Sequence, residues 1–259
     1  MSACAWSLPS RLHVDTPVPK EPAMNRLPFV LLPGLLCSPR LYAPQLPLLW
    51  QHGPVAVADT RHADSMSAMA AQMLADAPPR FGLLGLSMGG YLAFEILRQA
   101  PERVALLVLM DTSARPDTAE ATANRHAQVA QARAGEFQSV VDGLYARLVA
   151  PSRAQDEALR QVVTAMAQEV GVDAFARQQA AIIGRADARP LLPSVRCPTL
   201  VLVGEQDQIT PPALAEEIRQ GIPDAECVVL PDTGHLSTLE SPQAVNTALA
   251  RWLAAQLAT

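Results

Sequence analysis

The amino-acid sequence predicts an α/β fold, in which a mainly parallel sheet of about six or more strands is flanked by helices. Short, continuous apolar runs recur along the chain, and segments of helix length separate them. Continuous rather than alternating apolarity is typical of strands that are buried on both faces of a parallel sheet. One long segment without strand character predicts that helices are inserted between two strands of this sheet.

The strands are predicted first, because their apolar runs end at clear turn signals such as Pro33-Gly34. The six runs are Leu27–Leu32, Val55–Ala58, Phe81–Leu86, Val104–Met110, Thr199–Val203 and Glu226–Leu230. Helical spacing or helix-initiating residues mark the segments between and after them, which are Leu41–Trp50, Ser65–Ala75, Gly90–Gln99, Ala213–Arg219 and Pro242–Leu257. Strands that alternate with helices in this way predict βαβ units.

The domain organisation follows from the point where this alternation stops. Residues 113–184 are rich in Ala, Gln and Arg and have periodic apolar positions, which predicts several consecutive helices. A block of roughly 70 residues is too long for a loop, so we interpret it as a helical cap. Residues 27–112 and 185–259 then form the core. Residues 1–26 form a poorly ordered leader, with either Met1 or Met24 as the start.

Composition and charge exclude several classes of function. The chain has 259 residues, a formal net charge of −5 and a pI near 5.5, which argues against nucleic acid and anionic membranes as partners. No apolar stretch approaches the roughly 18 residues of a membrane helix, and the N-terminus lacks the pattern of a signal peptide. We therefore expect a cytoplasmic protein that does not bind membranes.

The four cysteines are scattered without the spacing of a metal site or a redox motif. We interpret them as reduced, mostly buried side chains, and we expect neither a metal ion nor an organic cofactor. Nothing in the sequence indicates the oligomeric state.

Residues Gly85-Leu86-Ser87-Met88-Gly89 match the G-x-S-x-G pattern of a nucleophile elbow. This pattern requires a strand that turns sharply into a helix, with the serine exposed at the corner. The apolar run Phe81–Leu86 precedes the motif and a helical segment follows it, so the context favours Ser87 as a nucleophile.

A serine nucleophile needs a base and an acid that orients the base. Among the five histidines, only His235 lies in a loop after a strand in the last part of the chain. Asp207 follows strand Thr199–Val203 and gives the chain order Ser, Asp, His. Asp111 also follows a strand and remains an alternative acid.

The negative oxygen of a tetrahedral intermediate would need two backbone N–H donors. We expect one from Met88, next to the nucleophile, and the other from Leu35 in the loop after the first strand. The substrate pocket should lie between the elbow and the cap. Its expected apolar lining is Leu36, Phe137, Leu144 and Tyr145.

The sequence resembles the α/β-hydrolase fold superfamily, and within it the branch of enol-lactonases and small carboxylesterases. The resemblance extends from Phe29 to about Leu257. Three motifs carry it: the elbow, Gly204-Glu205-Gln206-Asp207, and Gly234-His235 with Glu240 downstream. It implies a serine hydrolase that cleaves a small ester or lactone through an acyl-enzyme, without a cofactor.

Other functions are compatible with the same serine, histidine and aspartate. A C–C bond hydrolase and a cofactor-free perhydrolase would use the same three side chains, and a ligand receptor could keep the fold without turnover.

Overall fold

The computed structural model describes residues 26–257, and residues 1–25 of the predicted leader lie outside this range. Six strands form one sheet: β1 (Phe29–Leu32), β2 (Val55–Val57), β3 (Phe81–Leu86), β4 (Val104–Met110), β5 (Thr199–Gly204) and β6 (Glu226–Leu230). The strand order is β2-β1-β3-β4-β5-β6, and every neighbouring pair is parallel. The predicted fold class, a parallel sheet flanked by helices, is confirmed.

Burial explains why these runs form the sheet. Every residue of β1, β3 and β5 is buried, whereas the two edge strands β2 and β6 are only partly covered. Successive side chains of β1 point to opposite faces, with Val30 and Leu32 in one apolar cluster and Phe29 and Leu31 in the other. The apolar runs of the central strands are therefore continuous because both faces of the sheet are covered.

Nine helices lie in the described part of the chain: α1 (Leu46–Leu49), α2 (Met66–Asp76), α3 (Met88–Gln99), α4 (Ala119–Gln131), α5 (Phe137–Leu148), α6 (Glu157–Ile183), α7 (Pro212–Gly221), α8 (Ser237–Glu240) and α9 (Pro242–Leu257). Helices α2, α3 and α7 cover one face of the sheet, and α1 and α9 cover the other. None of the helices within residues 26–257 is long and apolar enough to cross a membrane.

The predicted helix Leu41–Trp50 is wrong in its extent. The chain forms a 3₁₀ turn at Pro39–Tyr42 and then the single turn α1. Two prolines explain the break, because Pro44 and Pro47 have no N–H to donate to the carbonyl four residues earlier.

Helices α4, α5 and α6 lie between residues 113 and 184, and this segment contains no strand. We keep the word cap for residues 113–184. Gly171, at φ 76°, interrupts α6. The cap has its own apolar cluster, in which Val140, Val141 and Phe175 pack with Leu36 from the loop after β1. The cap is therefore joined to the core at that loop.

We predict that Gly89→Ala destabilises the protein, because α3 approaches β1 too closely for a side chain. A Cβ atom on Gly89 would lie 1.9 Å from the carbonyl oxygen of Leu32. Overpacking of this kind typically costs about 1–3 kcal/mol, which urea denaturation would measure as a lower free energy of unfolding.

Gly143→Ala is the matched control for this substitution. Gly143 lies in α5 with no atom within 4 Å of an added Cβ atom. Alanine in a helix should raise the free energy of unfolding by about 0.5–1 kcal/mol. Equal stability of the Gly89→Ala variant and the wild type would contradict the close approach.

Candidate active site

Ser87 occupies the corner between β3 and α3, with φ 55° and ψ −115°. Backbone conformations with positive φ are rare for residues other than glycine. Two hydrogen bonds hold the corner, since the N–H of Ser87 donates to the carbonyl of Met110 (2.9 Å) and the hydroxyl of Thr112 donates to the carbonyl of Ser87 (2.8 Å). The serine side chain lies at the wall of a cavity.

His235 lies in the loop between β6 and α8, with its imidazole against Ser87. The distance from His235 Nε2 to Ser87 Oγ is 2.8 Å. The backbone N–H of His235 donates to the carbonyl of Leu148 at the end of α5 (3.0 Å), so the cap fixes the position of this loop. His235 is buried, which limits contact of the ring with water.

Asp207 follows β5 and contacts the other nitrogen of His235. The distance from Asp207 Oδ2 to His235 Nδ1 is 2.8 Å. In the tautomer that fits both contacts, Nδ1–H donates to the carboxylate and Nε2 accepts the hydroxyl proton of Ser87. The structure therefore brings the three predicted side chains into one line of hydrogen bonds.

Asp207 is held as a carboxylate by several donors. The N–H groups of Ile209 (2.8 Å) and Thr210 (2.9 Å) donate to its Oδ1 atom. The Thr210 hydroxyl donates to Oδ2 (2.8 Å). Burial opposes the charge of Asp207, but His235 and these hydrogen bonds hold its pKa below the usual value.

The pKa of His235 is shifted in the opposite direction. Burial disfavours the charged imidazolium, yet the charge and hydrogen bond of Asp207 raise the pKa of His235 above its usual value. An imidazole with a raised pKa is a stronger base once it is neutral. The arrangement can therefore accept a proton from a serine hydroxyl.

Asp111, the alternative acid, does not contact the imidazole. Its carboxyl group is fully buried after β4, where it accepts from the N–H of Gly204 (2.9 Å) and forms a short hydrogen bond with the Ser237 hydroxyl. Burial and the nearby charge of Asp207 raise the pKa of Asp111 above its usual value.

The backbone N–H groups of Leu35 and Met88 have no acceptor among the described residues. Met88 is the first residue of α3, where N–H groups lack partners within the helix. Leu36, the neighbour of Leu35, has φ 58°, and its own N–H donates to Gln178. Two free donors near Ser87 are what an oxyanion needs.

A cavity of about 410 Å³ opens beside Ser87 and His235. Leu36 and Leu144, two of the residues expected in the substrate pocket, line this cavity, and so does Leu35. Cavities of this size suit small organic molecules.

Phe137 and Tyr145, which were also expected in the pocket, are not among the lining residues. The Phe137 ring packs against Phe175 inside the cap, with 5.9 Å between the ring centroids. The Tyr145 hydroxyl donates to the carbonyls of Arg153 (3.0 Å) and Asp156 (3.1 Å), and its ring is buried. Periodic apolar positions on a helix could not distinguish these interior contacts from a pocket.

Thr210 and Glu240 also support the site, although no sequence pattern assigned either of them a role. Glu240 is buried and accepts hydrogen bonds from the N–H groups of Ala150, Gly234 and Leu236, so it clamps the His235 loop to the end of α5. Burial raises the pKa of Glu240 despite these donors. The spacing Asp-x-x-Thr at 207–210 was a local signal for Thr210, because aspartate commonly accepts from backbone N–H groups two or three residues later.

Within residues 26–257, no three His, Cys, Asp or Glu side chains are grouped so that they could hold a metal ion.

Comparisons with known proteins identify the fold family. The sequence model of the alpha/beta hydrolase fold family matches residues 32–242. The chain is 27% identical to a pimeloyl-[acyl-carrier protein] methyl ester esterase of Aromatoleum aromaticum over 242 residues, which cover 85% of this chain and 95% of that protein.

Two solved structures are similar over most of their length. A thermophilic esterase from Thermogutta terrifontis superposes with a TM-score of 0.80 at 31% identity, covering 89% of this chain and 90% of that chain. The enol-lactonase from Burkholderia xenovorans LB400 has a TM-score of 0.79 at 24% identity, covering 88% and 91%, and supports the fold. The family match spans most of the chain, and on this ground the protein belongs to the alpha/beta hydrolase fold family.

Proposed function

We propose that this protein is a serine hydrolase that cleaves a small carboxylic ester or lactone through an acyl-enzyme on Ser87. The observation that carries the proposal is the chain of two 2.8 Å contacts from Ser87 Oγ through His235 to Asp207. Such an arrangement activates a hydroxyl group that is otherwise a weak nucleophile.

The first half of the reaction forms the acyl-enzyme. His235 Nε2 takes the hydroxyl proton as Ser87 Oγ attacks the carbonyl carbon of the ester. The imidazolium that results is stabilised by the Asp207 carboxylate. His235 then gives the same proton to the alkoxide oxygen as its bond to the acyl carbon breaks, so the alcohol leaves neutral and the acyl group stays on Ser87.

The second half returns the enzyme to its starting state. A water molecule takes the place of the alcohol, and His235 Nε2 accepts one of its protons while the oxygen attacks the acyl carbon. The bond to Ser87 Oγ breaks, and His235 returns the proton to that oxygen. The carboxylic acid leaves, and in a lactone the alcohol and the acid belong to one molecule.

The tetrahedral intermediate in each half carries a negative oxygen. The free N–H groups of Leu35 and Met88 are the candidate donors to it. Fixed donors are effective because they need no reorganisation during the reaction, and one such donor is typically worth about 3–4 kcal/mol. The buried imidazole and the partly enclosed cavity strengthen these interactions by excluding water.

Two relatives support an ester as the substrate, because both are named as esterases. The cavity of about 410 Å³ supports a small molecule rather than a polymer.

We predict that Ser87→Ala lowers kcat/KM for any ester that the wild type hydrolyses by about 1,000-fold or more, because it removes the nucleophile. A panel of short and long aryl esters, small lactones and enol-lactones would identify a suitable substrate. A fluorophosphonate probe should label the wild type and leave this variant unlabelled. Ser194→Ala, an exposed serine outside the cavity, is the control and should behave as the wild type. Normal turnover by Ser87→Ala would refute the assignment.

We predict that Asp207→Asn moves the acid limb of the kcat/KM profile to lower pH and also lowers the maximum by about 100-fold or more. The reaction requires neutral His235, so activity is lost as pH falls through its pKa. Because Asp207 raises this pKa, the midpoint of the acid limb in the wild type should lie above the usual histidine pKa of about 6.5. Removing the carboxylate lowers the pKa, which initial rates from pH 5 to 9 would measure.

Asp111→Asn is the control for this profile. Asparagine tolerates the positive φ of 46° at this position, and it can accept from Gly204 and donate to Ser237. This variant should keep most of the maximal rate. A larger loss from Asp111→Asn than from Asp207→Asn would show that the acid is Asp111.

A further inference from the structure

The charged side chains that line the cavity are mostly basic, although the whole chain has a formal charge of −5. Within the described residues, the Asp, Glu, Lys and Arg side chains of the lining are one acid, Asp117, and four arginines, which are Arg115, Arg125, Arg147 and Arg185. An excess of positive charge at a partly enclosed cavity attracts anions.

Asp117 lies between two of these arginines. Its carboxylate accepts from Arg125 Nε (2.8 Å) and from Arg185 Nη1 (2.5 Å). The side chain of Asp117 is 3% exposed, and those of Arg125 and Arg185 are 20% and 9% exposed. One carboxylate cannot neutralise two guanidinium groups, so the cluster keeps a net positive charge. Arg115 differs, because Glu217 pairs with it outside the cavity (3.0 Å).

The cluster is close to the nucleophile. The Arg185 guanidinium lies over the Tyr91 ring, 4.2 Å from its centroid. Tyr91 is four residues after Ser87 at the start of α3, a rise of about 6 Å along a helix axis. Ser87 and the cluster also line the same cavity, so one small ligand can contact both.

We propose that Arg125 and Arg185, bridged by Asp117, bind a carboxylate of the substrate. The preferred substrates are then monoesters or lactones that carry a second, ionised carboxyl group. The same cavity is also lined by the apolar side chains of Val141, Leu144 and Met166, which would contact the hydrocarbon between the two groups. This proposal rests on the proposed hydrolase function, because it names the substrate of the same site.

The experiment compares two esters of equal size, monoethyl succinate and its neutral amide, ethyl succinamate. The wild type should prefer the anionic ester, and Arg185→Met should reduce that preference about tenfold, mainly through KM, because charge-assisted hydrogen bonds are lost. Arg133→Met removes a cap arginine outside the cavity and should leave the preference unchanged.

The wild type alone provides a second measurement, in case Arg185→Met does not fold. Raising NaCl from about 0.02 M to about 0.5 M should raise KM for the anionic ester and leave KM for the neutral ester unchanged. Equal kcat/KM for the two esters in the wild type would overturn the proposal while leaving the hydrolase function intact. Failure to hydrolyse either ester, with no fluorophosphonate labelling of Ser87, would instead count against the hydrolase function.

Gln178 is a fully buried side chain on α6 of the cap. Its Oε1 atom accepts from the N–H of Leu36 (3.1 Å), and its Nε2 atom donates to the Thr60 hydroxyl (2.9 Å). Leu36 follows β1 and Thr60 follows β2, so one cap residue joins two loops at the carboxyl edge of the sheet. Gln178 does not line the cavity.

The N–H of Leu35 is left free in this loop, because Gln178 accepts from the N–H of Leu36 and the carbonyl of Gly34 accepts from that of Cys37 (3.1 Å). Leu36 has the rare φ of 58°, and Gln178 uses its N–H, whereas the N–H of Leu35 has no acceptor in the described part of the chain. Fixing the peptide between Leu35 and Leu36 restricts the orientation of the preceding peptide, which carries the free N–H. A shift of about 1 Å in such a donor is enough to weaken catalysis.

We infer that Gln178 is a positioning residue, which orients the Leu35 N–H toward the oxyanion. This inference also rests on the proposed hydrolase function. If Gln178 were only structural, its removal would lower the free energy of unfolding without lowering kcat in the folded protein. A role in positioning should weaken the transition state more than the bound substrate.

The test uses Gln178→Ala and Thr60→Val with a neutral aryl ester and an alkyl boronic acid, which forms a tetrahedral adduct on serine. We expect Gln178→Ala to lower kcat by about 10–100-fold with KM within about threefold, and to weaken boronate binding by a similar factor. Thr60→Val removes one of the two hydrogen bonds of the Gln178 amide, so it should lower kcat and weaken boronate binding by a smaller factor.

Gln45→Ala is the matched control, because Gln45 is also fully buried and donates to the carbonyl of Thr238 away from the Leu35 loop. It should lower stability without changing kcat. An unchanged kcat in a folded Gln178→Ala variant, or an equal loss in Gln45→Ala, would overturn the inference. Wild-type turnover of the same ester is the reference, and its absence would count against the hydrolase function instead.

Discussion

The backbone of Ser87 is held at φ 55° and ψ −115°, and the arrangement of the site depends on this corner. Such a conformation costs an ordinary residue about 1–3 kcal/mol, so the surroundings must enforce it. They do so by close contact: a Cβ atom on Gly85 would lie 2.4 Å from the carbonyl oxygen of Gly89, and one on Gly89 would collide with β1. The strand and the helix therefore meet at a sharp angle, and the serine side chain reaches the cavity.

The parallel sheet brings the other groups to the same corner. Leu35, Ser87, Asp207 and His235 all follow the carboxyl ends of strands, which meet along one edge when the strands are parallel. The cap holds two of these loops. The carbonyl of Leu148 accepts from the N–H of His235, and the side chain of Gln178 accepts from the N–H of Leu36. The cap therefore both lines the cavity and fixes the groups beside it.

Sequence patterns predicted the strands, the elbow and the three polar side chains, because each leaves a local signal such as an apolar run or a motif. They favoured Asp207 by its order in the chain but left Asp111 as an alternative, since both acids follow strands and only the fold determines which one meets the imidazole. They also misplaced Phe137 and Tyr145 and missed Gln178. The partner of Gln178 is 142 residues away in the chain, and no local pattern reports such a contact.

In the proposed mechanism, ester cleavage passes through a covalent acyl group on Ser87. Rapid-quench mass spectrometry of the wild type, mixed with a stoichiometric amount of an ester that it hydrolyses, tests directly for this intermediate. We expect a transient mass increase equal to the acyl group, located on the peptide that contains Ser87 and formed at least as fast as kcat. Product formation without an adduct, or an adduct on another residue, would contradict it.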